Sequence, residues 1–461
     1  MRKPNVIIML MDNLGYGDLA CYGSRLHRTP EVDALAREGT RFTSFYSTSG
    51  VCTPSRASLM TGCYPRRVDM HCSGRNKCVL MPVEPKGLNP EEITIARTLK
   101  DQGYATACVG KWHLGDQPPF LPTRHGFDEF FGIPYSEDMV PDASPSRRGW
   151  PPLPLMRGET VIEAPPDRDY LTQRYTEESL RFIRANRDRP FFLYLAHAMP
   201  GSCEFAFASP AFRGRSANLV YGDAVEELDW SAGEIMRTLK ELGLDRDTVV
   251  VWTSDNGAVR HDPAQGSNAP LRGWGYDTSE GGQRVPCIVR WPGVVAPGAV
   301  TDEVATMMDL LPTISRMAGG GPPADRTIDG HDLTPLLRGD AGARSPYDAE
   351  GFFYYYREQL QAVRAGDWKL YLPLERRLDN LAGDMSRAKP CAAALYNLRR
   401  DIGEERECAS AYPEVVRTLM AMAERARAEL GDTDRPGAGQ RPAGRVDIPT
   451  PRVMVRGEPA L

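Results

Sequence analysis

Strand-like and helix-like segments alternate along the first two-thirds of this sequence, and that alternation restricts the fold more than any other feature. Residues 6–11 are all apolar, which is typical of a strand buried on both faces. A helix is predicted from Thr29-Pro30 to Gly39, because threonine can cap a helix and proline suits its first turn. Further strands are predicted at 42–46, 105–109, 191–196, 248–253 and 285–290, and further helices at 92–102 and 221–242. This order of elements predicts an α/β fold in which helices cover both faces of one sheet.

The pattern changes after about residue 345, where short strand-like segments follow one another with brief turns between them. These segments are 352–356, 360–364, 368–372 and 395–398, and a helix pattern covers 413–430. We therefore divide the chain into a large α/β domain (1–345), a small C-terminal α+β subdomain with an antiparallel sheet (346–430) and an extended tail (431–461). The tail is rich in Gly, Pro and Arg and is predicted to be a solvated end.

The charge and hydropathy of the chain exclude several classes of function. A net charge of −5, from 61 acidic and 56 basic side chains, gives no positive field of the kind that nucleic-acid-binding proteins carry. No segment reaches the roughly 18–20 apolar residues of a membrane span. The apolar run near the N-terminus is shorter than the roughly 7–15 residues of a signal-peptide core. We therefore expect no nucleic-acid or membrane partner and a cytoplasmic location, with a trimmed secreted precursor as the alternative.

The sequence has ten cysteines, and none lies in a Cys/His spacing typical of a zinc site. Cys72 and Cys78 are the pair that could close a small disulfide loop, although a chain of this length does not need one. Cys108 and Cys287 lie in apolar, strand-like segments, where a free cysteine behaves as a small hydrophobic side chain. We therefore expect a fold that does not depend on disulfides.

Polar pairs follow two of the predicted strands. Asp12-Asn13 comes after the first apolar strand, and Asp255-Asn256 comes after the strand at 248–253. Residues just past the carboxyl ends of strands converge in a crevice of an open α/β sheet. Two carboxylates and two carboxamides there would suit a hard cation such as Ca²⁺ or Mg²⁺. The alternative is that these residues only form turns, which Asp and Asn also favour.

A third cluster, Cys52-Thr53-Pro54-Ser55-Arg56, precedes a short helix predicted at 57–61 and closed by Gly62. A residue near a helix N-terminus meets free N–H groups that favour anions, and Arg56 adds a forked cation. One interpretation is therefore a cysteine thiolate that acts as a nucleophile.

Cys-x-Pro-Ser-Arg followed by Ala-Ser-Leu-Met-Thr-Gly resembles the signature of the type I sulfatases, which are arylsulfatase-like members of the alkaline phosphatase superfamily. Further family motifs occur in family order at Leu14 (LGYGD), Gly110 (GKWHLG), Gly126 (GFD), Gly132 (GIPYS), Ser254 (SDNG) and Glu280 (EGG). The resemblance spans residues 5 to about 315, and the C-terminal subdomain is similar too. It implies an alkaline phosphatase-like fold, with a large mixed sheet between helices and a smaller antiparallel sheet with a helix.

The resemblance implies that Cys52 is oxidised to formylglycine by a dedicated formylglycine-generating enzyme, which reads the Cys-x-Pro-x-Arg core. It also implies a bound divalent cation, Ca²⁺ in preference to Mg²⁺. Asn13 falls where most members have a second aspartate, so the cation site loses one negative charge and is expected to be weaker or more selective. The cation ligands that the resemblance implies are Asp12, Asn13, the modified Cys52, Asp255 and Asn256.

Four further residues match family positions around the sulfate. Arg56 and Lys111 would hold the hydrated aldehyde and the sulfate of a small aryl or carbohydrate sulfate ester. His113 would hydrogen-bond the formylglycine and help to remove its second proton, and Ser136 would contact the sulfate.

The mechanism that the resemblance implies needs an aldehyde at residue 52. The aldehyde hydrates to a geminal diol, one hydroxyl of which attacks sulfur while the alcohol leaves; the second hydroxyl is then deprotonated and expels sulfate. Serine or cysteine could accept the sulfuryl group but has no second hydroxyl with which to release it.

Two residues depart from the family pattern. Gly201 stands where relatives have a histidine that protonates the leaving group, and Gly275 stands where they have a lysine that binds sulfate. General acid catalysis is typically worth about 10²–10⁴-fold, so activity on alkyl sulfates should be impaired more than activity on aryl sulfates. The groups that could replace the two residues are Arg260, His261 and Arg272, and Trp274 and Tyr276 could stack on a ring of the substrate.

Two other functions remain open on these residues. One is a catalytically silent protein of the sulfatase fold that binds a sulfated ligand. The other is a phosphoester or phosphonate hydrolase of the same superfamily.

Overall fold

The computed structural model describes residues 3–75, 77–143, 147–202, 206–261, 265–378 and 389–454. Its strands, in chain order, are β1 (Asn5–Asp12), β2 (Thr40–Tyr46), β3 (Lys86–Gly87), β4 (Ala105–Lys111), β5 (Glu129–Ile133), β6 (Leu155–Arg157), β7 (Thr160–Glu163), β8 (Phe191–Pro200), β9 (Thr248–Ser254), β10 (Arg284–Arg290), β11 (Ala299–Thr301), β12 (Ala305–Thr306), β13 (Phe352–Tyr356), β14 (Gln359–Ala365), β15 (Trp368–Tyr371), β16 (Leu374–Arg377), β17 (Lys389–Cys391), β18 (Ala394–Asn397) and β19 (Gly444–Arg445). Its α-helices are α1 (Pro30–Glu38), α2 (Cys52–Thr61), α3 (Ile95–Lys100), α4 (Leu171–Ala185), α5 (Leu219–Glu241), α6 (Glu280–Gln283), α7 (Leu310–Met317), α8 (Thr334–Arg338), α9 (Tyr347–Glu350) and α10 (Pro413–Leu430).

The large sheet is mixed, as predicted. Its strand order is β11-β2-β10-β9-β1-β8-β4-β5-β6-β7, and β12 also pairs with β2. The central strand β1 runs parallel to β8 and β9, and β4 runs parallel to β8. Strand β10 is antiparallel to both β9 and β2. The carboxyl ends of the four parallel central strands therefore meet at one edge of the sheet.

The sheet is buried on both faces, which explains why β1 has no polar face. All eight residues of β1 are buried. Ile7, Met9 and Met11 belong to one apolar cluster, together with residues of α1, α4 and α5. Val6, Ile8 and Leu10 belong to a second cluster on the other face, together with residues of α2, α3 and α7. Because successive strand side chains point to opposite faces, a strand between two helical layers must be apolar throughout.

The C-terminal subdomain has the predicted architecture. Its antiparallel sheet has the order β13-β14-β15-β18, and each strand lies within two residues of its predicted bounds. Residues of α10 pack on this sheet in a third apolar cluster. That cluster also contains Tyr46, Tyr64 and Met308 of the large domain, so the two parts share a continuous buried contact.

Two helix predictions need correction. Helix α2 begins at Cys52 and not at residue 57, because a proline at 54 is tolerated within the first helical turn, where N–H groups have no intrahelical partner. The helix predicted at 92–102 is shorter, because Thr94 caps it by accepting a hydrogen bond from the Arg97 N–H. Of the ten cysteines, Cys203 lies outside the described residues and the other nine, Cys72 and Cys78 included, are free.

The tail is not a solvated end over the residues that the structure describes. It returns to the large domain, where β19 pairs with β3 in antiparallel register. Arg441 Nε donates to Glu92 Oε1 at 2.7 Å, and Gln117 Nε2 donates to the Thr450 carbonyl at 3.1 Å. These partners are distant in sequence, so composition alone could not reveal them. Among the described helices, none is both long and apolar enough to cross a membrane.

A buried carboxylate, Glu280, joins the large domain to the C-terminal subdomain. Its Oε2 accepts a hydrogen bond from Tyr46 Oη at 2.5 Å, and Arg284 Nη1 lies 3.3 Å away. Its Oε1 accepts from Tyr354 Oη at 2.9 Å and from Lys369 Nζ at 3.0 Å. Burial raises the pKa of Glu280, but Lys369 and Arg284 outweigh burial and hold that pKa well below its usual range.

We predict that Glu280→Ala lowers the free energy of unfolding by about 3–5 kcal/mol, because it leaves buried cations without their counter-charge. Urea unfolding of both proteins measures this difference. The matched control is Glu375→Ala, since Glu375 is exposed and its removal should leave stability almost unchanged. Equal losses in the two variants would contradict the structural role of Glu280.

Candidate active site

The predicted site residues converge at the edge where the central strands end. Asp12 ends β1, Lys111 ends β4 and Asp255 directly follows β9. Cys52 is the first residue of α2 and lies against the same edge, with its Sγ 3.3 Å from Asp12 Oδ1. Asp12 and Asp255 therefore meet in one place, as their positions after strands predicted, and Cys52 and Lys111 lie beside them.

A glycine is required next to the lysine. Gly110 has a φ of +112°, and a Cβ there would lie 1.8 Å from the Ala196 carbonyl oxygen of β8. Only glycine allows this approach, which lets β4 bend at its end and direct Lys111 into the site.

The candidate cation ligands lie close together. One ligand atom from each of Asp12, Cys52 and Asp255 lies within 4.8 Å of the others. Asn13 Oδ1 accepts a hydrogen bond from Asn256 Nδ2 at 2.5 Å, and the Asn13 N–H donates to Asp255 Oδ1 at 3.0 Å. Asn13 has a φ of +60°, a conformation that Asn tolerates better than most residues.

An orphaned oxygen shows that these residues fit a hard cation. Asn256 Oδ1 is buried and has no hydrogen-bond partner among the described residues. A buried acceptor without a partner is costly unless a ligand satisfies it. Burial and the adjacent Asp12 carboxylate raise the pKa of Asp255 to about 7. A divalent cation between the two carboxylates would remove this repulsion and favour both in their charged form.

Two buried cations face the carboxylates. Arg56 Nη2 lies 3.1 Å from Asp12 Oδ1 and 2.8 Å from Asp255 Oδ2. Lys111 Nζ donates to both oxygens of Asp12 at 2.8 Å and to Ser136 Oγ at 2.9 Å. All four charged side chains are 0% exposed, so their charges are compensated within the site and not by solvent.

The surroundings of Cys52 oppose ionisation of an unmodified thiol. Burial raises the pKa of its thiol well above the ordinary value, and the Asp12 and Asp255 carboxylates raise it further. Lys111 and Arg56 act in the opposite direction but do not outweigh these effects. The structure therefore does not favour the interpretation of Cys52 as a thiolate nucleophile, because the nearby cations are paired with carboxylates.

His113 is held in one tautomer. Its Nε2 lies 3.0 Å from the Leu80 carbonyl oxygen, which can only accept, so Nε2 carries the proton and Nδ1 has a free lone pair. Nδ1 is buried without a hydrogen-bond partner among the described residues. Burial lowers the pKa of His113 well below its usual range, and Lys111 and Arg56 lower it further, so the ring is neutral. A neutral imidazole with a free Nδ1 can accept a hydrogen bond or a proton in the cavity.

The site opens into a cavity of about 590 Å³. Its walls include Cys52, His113 and Ser136, and also Ser202 and Tyr276. Nearer to solvent they include an indole ring and three basic side chains, namely Trp150, Arg75, Lys77 and Arg147. A cavity of this size with aromatic and cationic walls suits a small, ring-bearing anion.

At both glycines that depart from the family pattern, other atoms lie close to the position that a Cβ would occupy. Gly201 has a φ of +83°, and a Cβ there would lie 2.4 Å from Glu137 Oε1. A Cβ at Gly275 would lie 2.5 Å from the Gly257 carbonyl oxygen. A histidine or lysine at these positions would therefore displace neighbouring groups.

The residues proposed as replacements do not line the cavity. Arg272 pairs with Glu404 at 3.3 Å and lies over the ring of Tyr396, and Arg260 is exposed. His261 and Trp274 are also absent from the cavity wall, whereas Tyr276 forms part of it. The structure therefore gives no support to the hypothesis that Arg260, His261 or Arg272 substitutes for the missing groups.

One buried acid was missed in the sequence. Glu137 accepts hydrogen bonds from Ser136 Oγ and from the Ser202 N–H, both at 2.9 Å, and lies 3.8 Å from Lys111 Nζ. Burial raises its pKa to about 7, against the opposing effect of Lys111. The only signal in the sequence is its position directly after Ser136.

Comparison with known proteins agrees with this geometry. The family model described as Sulfatase matches residues 4–320. Steryl-sulfatase of Mus musculus is 40% identical over 446 residues, which cover 80% of this chain and 71% of that protein. Arylsulfatase A of Homo sapiens is 40% identical over 390 residues, which cover 80% of this chain and 75% of that protein.

Solved structures are similar over almost the whole chain. The sulfatase PsFucS1 from Pseudoalteromonas sp. has a TM-score of 0.80 at 28% identity and covers 93% of this chain and 90% of its own. A phosphonate monoester hydrolase of Agrobacterium radiobacter has a TM-score of 0.59 at 19% identity, over 92% of this chain and 96% of its own, and so shares only the fold. A family match over residues 4–320 and relatives at 40% identity over four-fifths of the chain show that this protein belongs to the sulfatase family and is a hydrolase of sulfuric esters.

Proposed function

We propose that this protein hydrolyses small aryl or carbohydrate sulfate esters at the edge of its large sheet, through a formylglycine made from Cys52 and a bound Ca²⁺. The observation that carries the proposal is the convergence of Asp12, Asp255, Arg56 and Lys111 around Cys52 in a fully buried cluster. The names of the relatives, which include an arylsulfatase and N-acetylgalactosamine-6-sulfatase, support this range of substrates.

Asp12, Asn13, Asp255 and Asn256 would hold the cation, together with the modified side chain at 52. When bound, the cation supplies positive charge that offsets negative charge on the sulfate oxygens. Ca²⁺ is favoured over Mg²⁺ because the ligands are all oxygen and come from several loops, whereas Mg²⁺ demands a stricter octahedral geometry. The assignment of these residues as cation ligands rests on the oxygen atoms that they offer.

The remaining residues would act on the ester and on the modified side chain. Arg56 and Lys111 would orient the hydrated aldehyde and the sulfate, and the Ser136 hydroxyl would contact a sulfate oxygen. His113, whose free Nδ1 is fixed by the hydrogen bond to Leu80, would accept the second hydroxyl proton when sulfate is expelled. Trp150 and Tyr276 would flank the ring of the substrate.

Maturation of Cys52 can be tested by mass spectrometry. When the chain is co-expressed with a formylglycine-generating enzyme, we expect the tryptic peptide 42–56 to show the mass loss that accompanies conversion of CH₂SH to CHO. The Cys52→Ala variant should be inactive on any sulfate ester. An unmodified cysteine, obtained where a control sulfatase is modified in the same cells, would contradict the proposal.

The charge of the cation site should set its affinity for Ca²⁺. Asn13→Asp restores a carboxylate, so we expect its Kd for Ca²⁺ to fall by about tenfold or more, as measured by calorimetry on the matured protein. Asp255→Asn is the opposite control and should weaken binding. Removal of the cation with EDTA should abolish hydrolysis and added Ca²⁺ should restore it. Full activity in EDTA would exclude a catalytic role for the cation.

The leaving group should decide the rate, because no histidine stands at residue 201. A phenol carries negative charge far better than an alcohol, so we expect phenyl sulfate to be hydrolysed at least about 10²-fold faster than an alkyl sulfate. Steady-state kcat/KM values for the two esters measure the ratio. Equal values would show that another group protonates the leaving oxygen efficiently.

A further inference from the structure

Each glycine that replaces a family residue is followed by a residue with a hydroxyl group. Ser202 follows Gly201, and Tyr276 follows Gly275. Tyr276 Oη donates to Ser202 Oγ at 3.0 Å, and both side chains line the cavity that contains Cys52. Two loops that are 74 residues apart in sequence thus bring their hydroxyls together on one wall of the site.

The Ser202 hydroxyl has its two acceptor positions occupied. It accepts one hydrogen bond from Asn13 Nδ2 at 2.6 Å and one from Tyr276 Oη at 3.0 Å. A hydroxyl oxygen has two lone pairs and one proton, so its own proton remains to be donated. Among the described residues none takes that proton. The Ser202 O–H is therefore available to an acceptor in the cavity.

The backbone fixes both hydroxyls relative to the reacting centre. The Gly201 N–H donates to the Asp12 carbonyl at 3.0 Å, and the Ser202 N–H donates to Glu137 Oε1 at 2.9 Å. The Tyr276 N–H donates to the Gly50 carbonyl at 2.7 Å, two residues before Cys52. A donor held in place by its surroundings needs little reorganisation during the reaction.

Asn13 connects this pair to the nucleophile position. Its Nδ2 contacts Ser202 Oγ, while its Oδ1 lies 3.9 Å from Cys52 Sγ. Ser202 and Cys52 therefore contact opposite ends of the same side-chain amide. In an in-line displacement the leaving oxygen lies across the sulfur from the nucleophile, so a donor to that oxygen must be set back from residue 52, as Ser202 is.

We infer that Ser202 is a catalytic residue whose hydroxyl hydrogen-bonds the leaving oxygen of the sulfate ester, and that Tyr276 positions this hydroxyl. The inference rests on the proposed function. An oxygen of residue 52 forms a new bond to sulfur while the bond from sulfur to the leaving oxygen breaks, and the electron pair of that bond stays on the leaving oxygen. The proton of the attacking hydroxyl passes to water, and the released oxide takes a proton from water, so the two transfers balance. Ser202 keeps its own proton and stabilises the charge that develops on the leaving oxygen.

The dependence of rate on the leaving group distinguishes this role from a structural one. We expect Ser202→Ala to lower kcat/KM for phenyl sulfate by about 10²-fold, the usual cost of one such donor. The loss on 4-nitrophenyl sulfate should be less than about tenfold, because the nitro group already delocalises the charge. Across a series of substituted phenyl sulfates, the variant should therefore show a steeper dependence on phenol acidity than the parent enzyme.

Two further variants keep the test independent of folding. Ser202→Thr retains the hydroxyl, so its kcat/KM should depend on phenol acidity as in the parent enzyme. Tyr276→Phe retains the ring but loses the hydroxyl, so this dependence should become steeper, although less so than in Ser202→Ala. Either of two results would overturn the inference while leaving the proposed function standing. One is an equal loss of kcat/KM on every ester in Ser202→Ala. The other is a dependence of kcat/KM on phenol acidity that is unchanged in both Ser202→Ala and Tyr276→Phe. A matured parent enzyme that hydrolyses none of the aryl sulfates would overturn the proposed function and this inference with it.

Discussion

Four buried charges at the ends of the central strands are the interaction on which the rest of the site depends. Arg56 contacts both Asp12 and Asp255, and Lys111 holds both oxygens of Asp12. Charges taken out of water are tolerated only when they are paired, so the helix that carries Arg56 must dock exactly where the strands end. Because that helix begins at Cys52, the pairing also places Cys52 beside the carboxylates that are proposed to bind the cation.

The cavity wall that carries Ser202 and Tyr276 is where this protein departs from the family pattern. At residues 201 and 275 the backbone approaches Glu137 and Gly257 so closely that larger side chains would clash. The following residues, Ser202 and Tyr276, turn into the cavity instead. Where the resemblance implies a proton-donating histidine, this protein has two neutral hydroxyls, which in the proposed mechanism stabilise a good leaving group without supplying a proton.

The C-terminal subdomain holds the segment that follows Tyr276 through hydrogen bonds. Thr278 Oγ1 donates to Gln361 Oε1 at 2.7 Å, and Lys369 Nζ donates to the Thr278 carbonyl at 3.1 Å. The same lysine pairs with Glu280, so the segment that carries Tyr276 is anchored on the small sheet only a few residues later. The subdomain therefore contributes to the site through the loop that it holds, although none of its described residues lies among the charged groups around Cys52.

The sequence by itself determined the α/β class, the central strands, the C-terminal sheet with its helix, and the residues around Cys52. These follow from local periodicity and from motifs whose residues lie close together in the chain. Only the tertiary structure decided the start of α2 at Cys52, the return of the tail to β3, the buried position of Glu137 and the meeting of Ser202 with Tyr276. The last three depend on contacts between segments far apart in sequence, and no local pattern specifies which distant groups will meet.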